Sequence, residues 1–103
     1  MNIVIGCDEA AYRLKEIIKE YVEELGHTVT DIGVYNEEPS LYPDTAQRLC
    51  EKITDHSCER GILLCGTGIG MAITANKIPG IRAAVGHDLF SVERSIKSNT
   101  CQV

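Results

Sequence analysis

The sequence of 103 residues contains no apolar run approaching the roughly 20 residues that a membrane-spanning helix needs. It also lacks a basic segment at its amino terminus, because the chain passes directly from Asn2 into the apolar residues 3–5. A signal peptide begins with a basic region, so these residues are expected to form a first strand instead. We therefore expect a cytoplasmic protein that does not have a membrane as a partner.

Positive charge is scarce as well, since 10 Lys and Arg residues stand against 15 Asp and Glu residues and the net charge is −5. A general nucleic-acid binder needs a basic face to neutralise phosphates, and this balance argues against one. The 5 cysteines are an odd number without a C-x-x-C pair, which argues against a disulfide framework and a zinc site. We expect free thiols in a reducing compartment, and we predict neither a metal nor a cofactor.

Short apolar segments alternate with amphipathic segments along the whole chain. The expected strands are 2–7, 28–33, 61–64 and 81–85, and the expected helices are 9–25, one that begins at Pro43, 71–77, and one that Asp88 caps. This βαβαβαβα order predicts one domain, residues 1–103, with a Rossmann-like three-layer α/β/α fold and a parallel sheet. Ligands of such sheets bind beyond the carboxyl ends of the strands, where Asp8, Cys65 and residues 86–88 are expected.

The most specific segment is Cys65-Gly66-Thr67-Gly68-Ile69-Gly70, which follows an apolar run of strand length and precedes a helix-forming stretch. Glycines let the backbone approach a bound group, and the first turn of a helix offers free N–H donors to an anion. The segment has neither the Gly-Lys-Ser/Thr of nucleotide hydrolases nor the G-x-G-x-x-G spacing of dinucleotide-binding loops. Met71 stands where a Cys-x5-Arg phosphatase loop needs arginine. What remains is a thiol at an anion site formed by a glycine-rich turn.

The polar residues near this rim also have simpler interpretations. Cys65 can be a small hydrophobe at the end of a buried strand. Thr67 and Asp8 can each cap a helix, and the glycines can do no more than allow a tight turn. We interpret Asn76 as structural, and we expect Arg82 to have a structural partner because a charge within a strand needs one.

Several segments together resemble the family of ribose-5-phosphate isomerase B and galactose-6-phosphate isomerase. The matching residues span the chain and are Gly6-Cys7-Asp8, Tyr42-Pro43-Asp44, Cys65 to Gly70, Ala75 to Ala84, and Asn99. The resemblance implies aldose–ketose isomerisation of a sugar phosphate through a cis-enediolate, with Cys65 as the base. Family members continue through a fifth strand into a final helix with phosphate-binding arginines, so the resemblance implies that the last strand and helix are cut short here.

The resemblance also implies the remaining site residues and a partner. Thr67 would donate or shuttle a proton at an oxygen of the sugar. The residues expected to contact the substrate are Asp8, Glu9, Gly66, Gly68, Gly70, Ser98 and Asn99. The glycine N–H groups would stabilise developing oxyanion charge. Ser98 and Asn99 would come from the second subunit of a homodimer with shared sites.

Two positions depart from that family's pattern. Glu9 and Ser98 stand where ribose-5-phosphate isomerases of this type usually have histidine, and the second histidine is associated with opening the furanose ring. A pentose 5-phosphate closes its ring through O4, which is esterified in a tetrulose 4-phosphate. Ribose 5-phosphate and a tetrulose 4-phosphate such as erythrulose 4-phosphate are therefore both candidate substrates. A third interpretation is a non-catalytic subunit of a galactose-6-phosphate isomerase-like assembly, against which Cys65 argues.

Overall fold

A computed structural model describes residues 1–103 as an α/β fold, which confirms the predicted class. The elements are β1 (Asn2–Cys7), a 3-10 turn (Glu9–Ala11), α1 (Tyr12–Glu24), β2 (Thr28–Asp31), α2 (Tyr42–Thr54), β3 (Arg60–Leu64), α3 (Ile69–Asn76) and α4 (Leu89–Lys97). The strands form a parallel sheet in the order β2-β1-β3. None of the helices has the length and apolar character that crossing a membrane requires.

The centre of the sheet is β1, whose residues after Asn2 are all buried. A strand that reads as a continuous apolar run is typical of a parallel sheet covered on both faces. Val4 packs into the main core with Leu49 and Cys50 of α2. The sheet also contacts α1 through β1 and β2. β1 and β3 end side by side, with Cys7 opposite Leu64, so the residues that follow them share one edge.

The predicted fourth strand, residues 81–85, is wrong, because this segment is irregular. Its contacts are nevertheless those of a sheet edge. The carbonyl of Arg82 accepts hydrogen bonds from the N–H groups of Gln102 and Val103 at 3.0 and 3.3 Å. On its other side, the carbonyl of Gln102 accepts a hydrogen bond from β3. Residues 101–103 thus lie between β3 and segment 81–85, where the backbones of Arg82 and Ala84 bond to them but that of Ala83 bonds to the Asn76 side chain.

The helix boundaries follow the sequence signals closely. Asp88 caps α4 as predicted, because its Oδ1 accepts a hydrogen bond from the N–H of Ser91 at 2.7 Å. Pro43 lies in the first turn of α2, where its missing N–H has no cost. The second predicted strand ends early, at Asp31, because the following Gly33 has φ +102° and leaves the extended region.

Helix α4 differs from the others because it has no buried residue. Leu89 and Phe90 are 83% and 73% exposed, and Val92 and Ile96 are 41% and 42% exposed. The predicted amphipathic helix therefore forms without burying its apolar face.

The cysteines other than Cys65 are buried packing residues, as predicted. Burial raises the pKa of the Cys50 thiol to about 11. Burial also raises the pKa of Cys7, which lies at the end of β1 with its Sγ facing the Val34 carbonyl. Cys7 and Cys50 are therefore protonated near neutral pH, which makes them poor nucleophiles while they stay buried.

Candidate active site

Cys65 is the first residue after β3 and is partly exposed. Its Sγ accepts a hydrogen bond from the N–H of Gly68 at 3.0 Å. Gly68 is the N-cap of α3 and has φ +80°, a left-handed conformation that side chains oppose. The turn therefore directs a backbone donor and the amino-terminal end of a helix at the sulfur. Backbone donors and the amino-terminal ends of helices are groups that bind anions.

The backbone between Cys65 and Gly68 offers two further donors. The N–H groups of Gly66 and Thr67 make no hydrogen bond within the chain. Thr67 precedes the N-cap Gly68, and its Oγ1 accepts a hydrogen bond from the N–H of Ile69 at 3.1 Å, so it forms a local turn and is not itself the helix cap. That bond uses a lone pair of the oxygen, so the Thr67 hydroxyl proton is still available to a ligand.

A cavity of about 290 Å³ opens beside this turn. It is lined by the turn residues from Cys65 to Gly68, by residues 84–87 and by side chains from β3 and α3. The volume lies at the lower end of the range for ligand pockets, which suits a small molecule. His87 is among the lining residues and is exposed.

Gly70 does not line this cavity, and the structure gives it a packing role. A Cβ at Gly70 would lie 2.6 Å from Cε1 of Tyr42, closer than side-chain atoms approach one another. The absence of a side chain therefore lets the Tyr42 ring pack against the start of α3. The predicted contact of Gly70 with a substrate stays a prediction.

A backbone hydrogen bond connects Asp8 to the strand end that leads into the Cys65 turn. Its N–H donates a hydrogen bond to the carbonyl of Leu64, the residue before Cys65, at 3.0 Å. Its Oδ1 accepts a hydrogen bond from the N–H of Ala11 at 3.2 Å and so caps the 3-10 turn. One carboxylate oxygen remains free of intrachain bonds, so the capping role and a ligand contact are compatible.

Glu9 has a partner that the sequence does not reveal. Its Oε2 accepts hydrogen bonds from the hydroxyl and the N–H of Ser40 at 2.8 and 3.1 Å. Hydrogen bonds from its own N–H and from Ser40 lower the pKa of Glu9. Glu9 therefore fastens the loop that leads into α2, and neither Glu9 nor Asp8 lines the Cys65 cavity. Ser40 is far from Glu9 in sequence, and no local pattern signals this contact.

Ser98 and Asn99 line a different cavity, of about 400 Å³, together with Asn76 and Arg82. Within one chain, the structure therefore does not bring these two predicted substrate contacts to Cys65. Arg82 Nη1 donates a hydrogen bond to the Asn99 carbonyl at 3.1 Å and contacts the Thr100 hydroxyl. The expected partner of Arg82 is thus the turn that carries Asn99.

Asn76 has the structural role that we expect from the sequence. Its side-chain amide donates to the Ala83 carbonyl at 2.8 Å and accepts from the Ala83 N–H at 2.9 Å. The Asn76 amide thus pairs with the backbone N–H and carbonyl of Ala83, as a neighbouring strand would do. Among residues 1–103, no group of three or more His, Cys, Asp or Glu side chains is placed to hold a metal ion.

Comparisons with known proteins match this chain over nearly its whole length. A family model described as Ribose/Galactose Isomerase matches residues 3–103. Ribose-5-P isomerase B of Listeria innocua is 48% identical over 103 residues, with 100% of this chain and 70% of that protein covered. D-erythrulose-4-phosphate isomerase of Pectobacterium atrosepticum is 50% identical over 107 residues, with 100% of this chain and 68% of that protein covered.

A solved structure extends the agreement from sequence to fold. Ribose-5-phosphate isomerase B of Clostridium thermocellum superimposes with a TM-score of 0.97 at 39% identity, over 99% of this chain and 69% of that one. Because the family model, the relatives and the solved structure all match over nearly every residue, this chain belongs to the ribose/galactose isomerase family.

Proposed function

We propose that the protein interconverts the aldose and ketose forms of a sugar phosphate and that Cys65 is the base. The observation that carries this assignment is the hydrogen bond from the Gly68 N–H to the Cys65 Sγ at 3.0 Å. A base must hold negative charge before it takes a proton, and a backbone donor at a helix terminus stabilises that charge without adding a proton of its own. The other cysteines are buried and face no such donor turn.

The proposed steps conserve the protons and the electron pairs. The Cys65 thiolate takes the proton from C2 of the aldose, the C–H electrons form the C1–C2 double bond of a cis-enediolate, and the π electrons of the C1 carbonyl move to O1. O1 then gains a proton and O2 loses one. The free N–H groups of Gly66 and Thr67 can stabilise the negative oxygen, and the Thr67 hydroxyl can exchange a proton with O1 or O2. Return of the proton from the thiol to C1 gives the ketose and restores the thiolate.

The first candidate substrate is ribose 5-phosphate, and one observation favours a second candidate. Ser98 stands where an imidazole would open a furanose ring, and a serine hydroxyl is a poor acid-base group near neutral pH. A tetrulose 4-phosphate is already open, so it needs no such group. The 50% identical relative of Pectobacterium atrosepticum is named for a substrate of that kind.

Ser98→His separates the two candidates. We expect it to raise kcat/KM for ribose 5-phosphate by about tenfold or more, because general acid–base catalysis contributes at least that much to a ring-opening step. The rate with D-erythrulose 4-phosphate should not rise, because that substrate has no ring to open. Both rates are measured side by side, with Ser98→Ala as the control. A wild-type preference for ribose 5-phosphate that Ser98→His does not increase would contradict the ring-opening argument.

We also propose that the protein is a single-domain, cytoplasmic homodimer in which Ser98 and Asn99 of one subunit complete the Cys65 cavity of the other. The separation of these residues into two cavities of one chain supports this arrangement. Two inactive variants, Cys65→Ser and Asn99→Ala, should then restore about a quarter of the wild-type activity when they are mixed, because a heterodimer retains one intact site. Absence of complementation after verified subunit exchange would exclude a shared site.

A further inference from the structure

Lys15 of α1 is a fully buried cation that the proposed chemistry does not use. Its Nζ donates hydrogen bonds to Oδ1 and Oδ2 of Asp31 at 3.0 and 2.8 Å and to the carbonyl of Val34 at 2.7 Å. The rings of Tyr12 and Tyr35 lie 5.3 and 5.2 Å from it. An ammonium group has three protons, which the Asp31 oxygens and the Val34 carbonyl share with Glu16 Oε1 at 3.2 Å.

Burial of this charge is costly, so stability alone does not explain why a lysine is here. Taking an ammonium group and a carboxylate out of water costs several kcal/mol each, and well-packed apolar residues often replace such a pair without loss. Val22, which is also buried on α1, and Ala11, which is buried in the preceding 3-10 turn, show that apolar side chains are accepted here. An apolar side chain, however, cannot donate a hydrogen bond to a backbone carbonyl.

The segment that Lys15 holds, residues 31–35, is hydrogen-bonded to the end of β1. The N–H of Cys7 donates to the Gly33 carbonyl at 2.7 Å, and the N–H of Val34 donates to the Cys7 carbonyl at 3.2 Å. Asp31 itself accepts a hydrogen bond from the Gly33 N–H at 2.9 Å. The ammonium group therefore fixes both ends of the stretch that flanks Cys7.

Asp8 follows Cys7 directly, and its N–H donates to the carbonyl of Leu64, the residue before Cys65. We propose that Lys15 is a positioning residue for the candidate active site: it holds residues 31–35 against the end of β1 and thereby fixes Asp8 relative to Cys65. The effect on turnover rests on the proposed function, whereas the effect on the end of β1 does not.

Cysteine alkylation tests the structural half of this proposal in Lys15→Met. Each thiol is followed by peptide mapping after timed exposure to iodoacetamide. Cys7 should react about tenfold faster than in the wild type, because residues 31–35, which shield it, are no longer held by Lys15 and open locally. Cys50 is buried in the α2 core and reports global unfolding, so its rate should not change. The matched control is Lys19→Met, whose ammonium group lies 3.4 Å from the same Asp31 but is half-buried; it should leave Cys7 protected.

Kinetics test the functional half. We expect Lys15→Met to lower kcat/KM about tenfold or more, because small displacements of a substrate-positioning group have effects of this size. The same substitution in an Asp8→Ala background should lower it little further, since Lys15 acts through Asp8. A purely structural role would give independent, additive losses.

Each result decides the question. Protection of Cys7 in folded Lys15→Met overturns the proposal, and so does an exposed Cys7 with unchanged kcat/KM.

If Cys7 and Cys50 both react faster than in the wild type, Lys15→Met has unfolded, and Tyr35→Leu replaces it. This exposed residue covers Lys15 and donates from its hydroxyl to the Asp31 carbonyl at 3.1 Å. Cys7 must then react faster in Tyr35→Leu, or the proposal is wrong. A wild type without turnover would refute the proposed function but leave the alkylation result decisive.

Discussion

Cys65→Ser should lower kcat by about 10²–10⁴-fold, the usual contribution of a general base. A serine hydroxyl keeps the position of the sulfur, but it does not ionise near neutral pH as a thiol does. The Gly68 N–H, now 3.0 Å from the sulfur, would then face a neutral oxygen. Sugar-phosphate affinity should change little, because the cavity keeps its shape. The measurements are kcat from an isomerisation assay and the dissociation constant from calorimetry.

The matched control is Cys58→Ser. Cys58 is 5% exposed, and its Sγ lies 3.9 Å from the Thr30 hydroxyl, so a serine there retains a partner. It lies outside the Cys65 cavity and should keep kcat. If Cys65→Ser keeps full activity in an assembly with a second, unlike family member, the chain is a non-catalytic subunit instead.

Asp31→Ala should lower the free energy of unfolding by about 3 kcal/mol, near the lower end for removal of one partner from a buried ion pair. Lys15 would remain fully buried with only the Val34 carbonyl and Glu16 as partners. Stabilities of natural domains are about 5–15 kcal/mol, so this loss is a large fraction. Urea unfolding at neutral pH, followed by circular dichroism, measures it.

Glu16→Ala is the internal comparison, because Glu16 Oε1 lies 3.2 Å from the same Lys15 Nζ but its side chain is 46% exposed. Its loss should cost at most about 1 kcal/mol, as for exposed ion pairs. Equal losses in Glu16→Ala and Asp31→Ala would show that burial does not set the strength of the pair.

The difference between wild type and Asp31→Ala should depend on pH in a defined direction. Burial raises the pKa of Asp31, but hydrogen bonds from Lys15 and the Gly33 N–H outweigh it, so the net pKa lies below the ordinary value. A carboxylate with a lowered folded pKa stabilises fully above its unfolded pKa of about 3.9 and progressively less as the pH falls further. The difference should therefore shrink below about pH 4.

The strand and helix order could be predicted because each element carries a local signal. The apolar run before Cys65, the glycines after it and Asp88 before α4 are read within a few residues. Segment 81–85 carries the same kind of signal, but the backbone of Ala83 bonds to the side chain of Asn76 and not to a neighbouring strand. Local patterns describe what a segment prefers and not what lies beside it.

The parts of the site that escaped prediction depend on contacts between distant residues. Periodicity treats Lys15 as a surface residue of α1, because nothing near it in sequence shows that Asp31 will meet it. The contact between Glu9 and Ser40 is hidden for the same reason. The position of Cys65, by contrast, follows from the end of one strand and needs no partner to be recognised.

The position of β1 in the middle of the sheet has a consequence for folding kinetics. Ile5 pairs with Asp31 on one side and with Ile62 on the other, so the sheet contains no hairpin and every ladder closes a long loop. The chain loses entropy when a long loop closes, before the strands at its ends can form stabilising contacts. Such topologies therefore fold slowly. Pairing of Cys7 with Leu64 belongs to the longer of the two closures. Cys65, which follows Leu64, therefore gains its place at a late step, and the refolding chain forms the cavity beside Cys65 only when the sheet is complete.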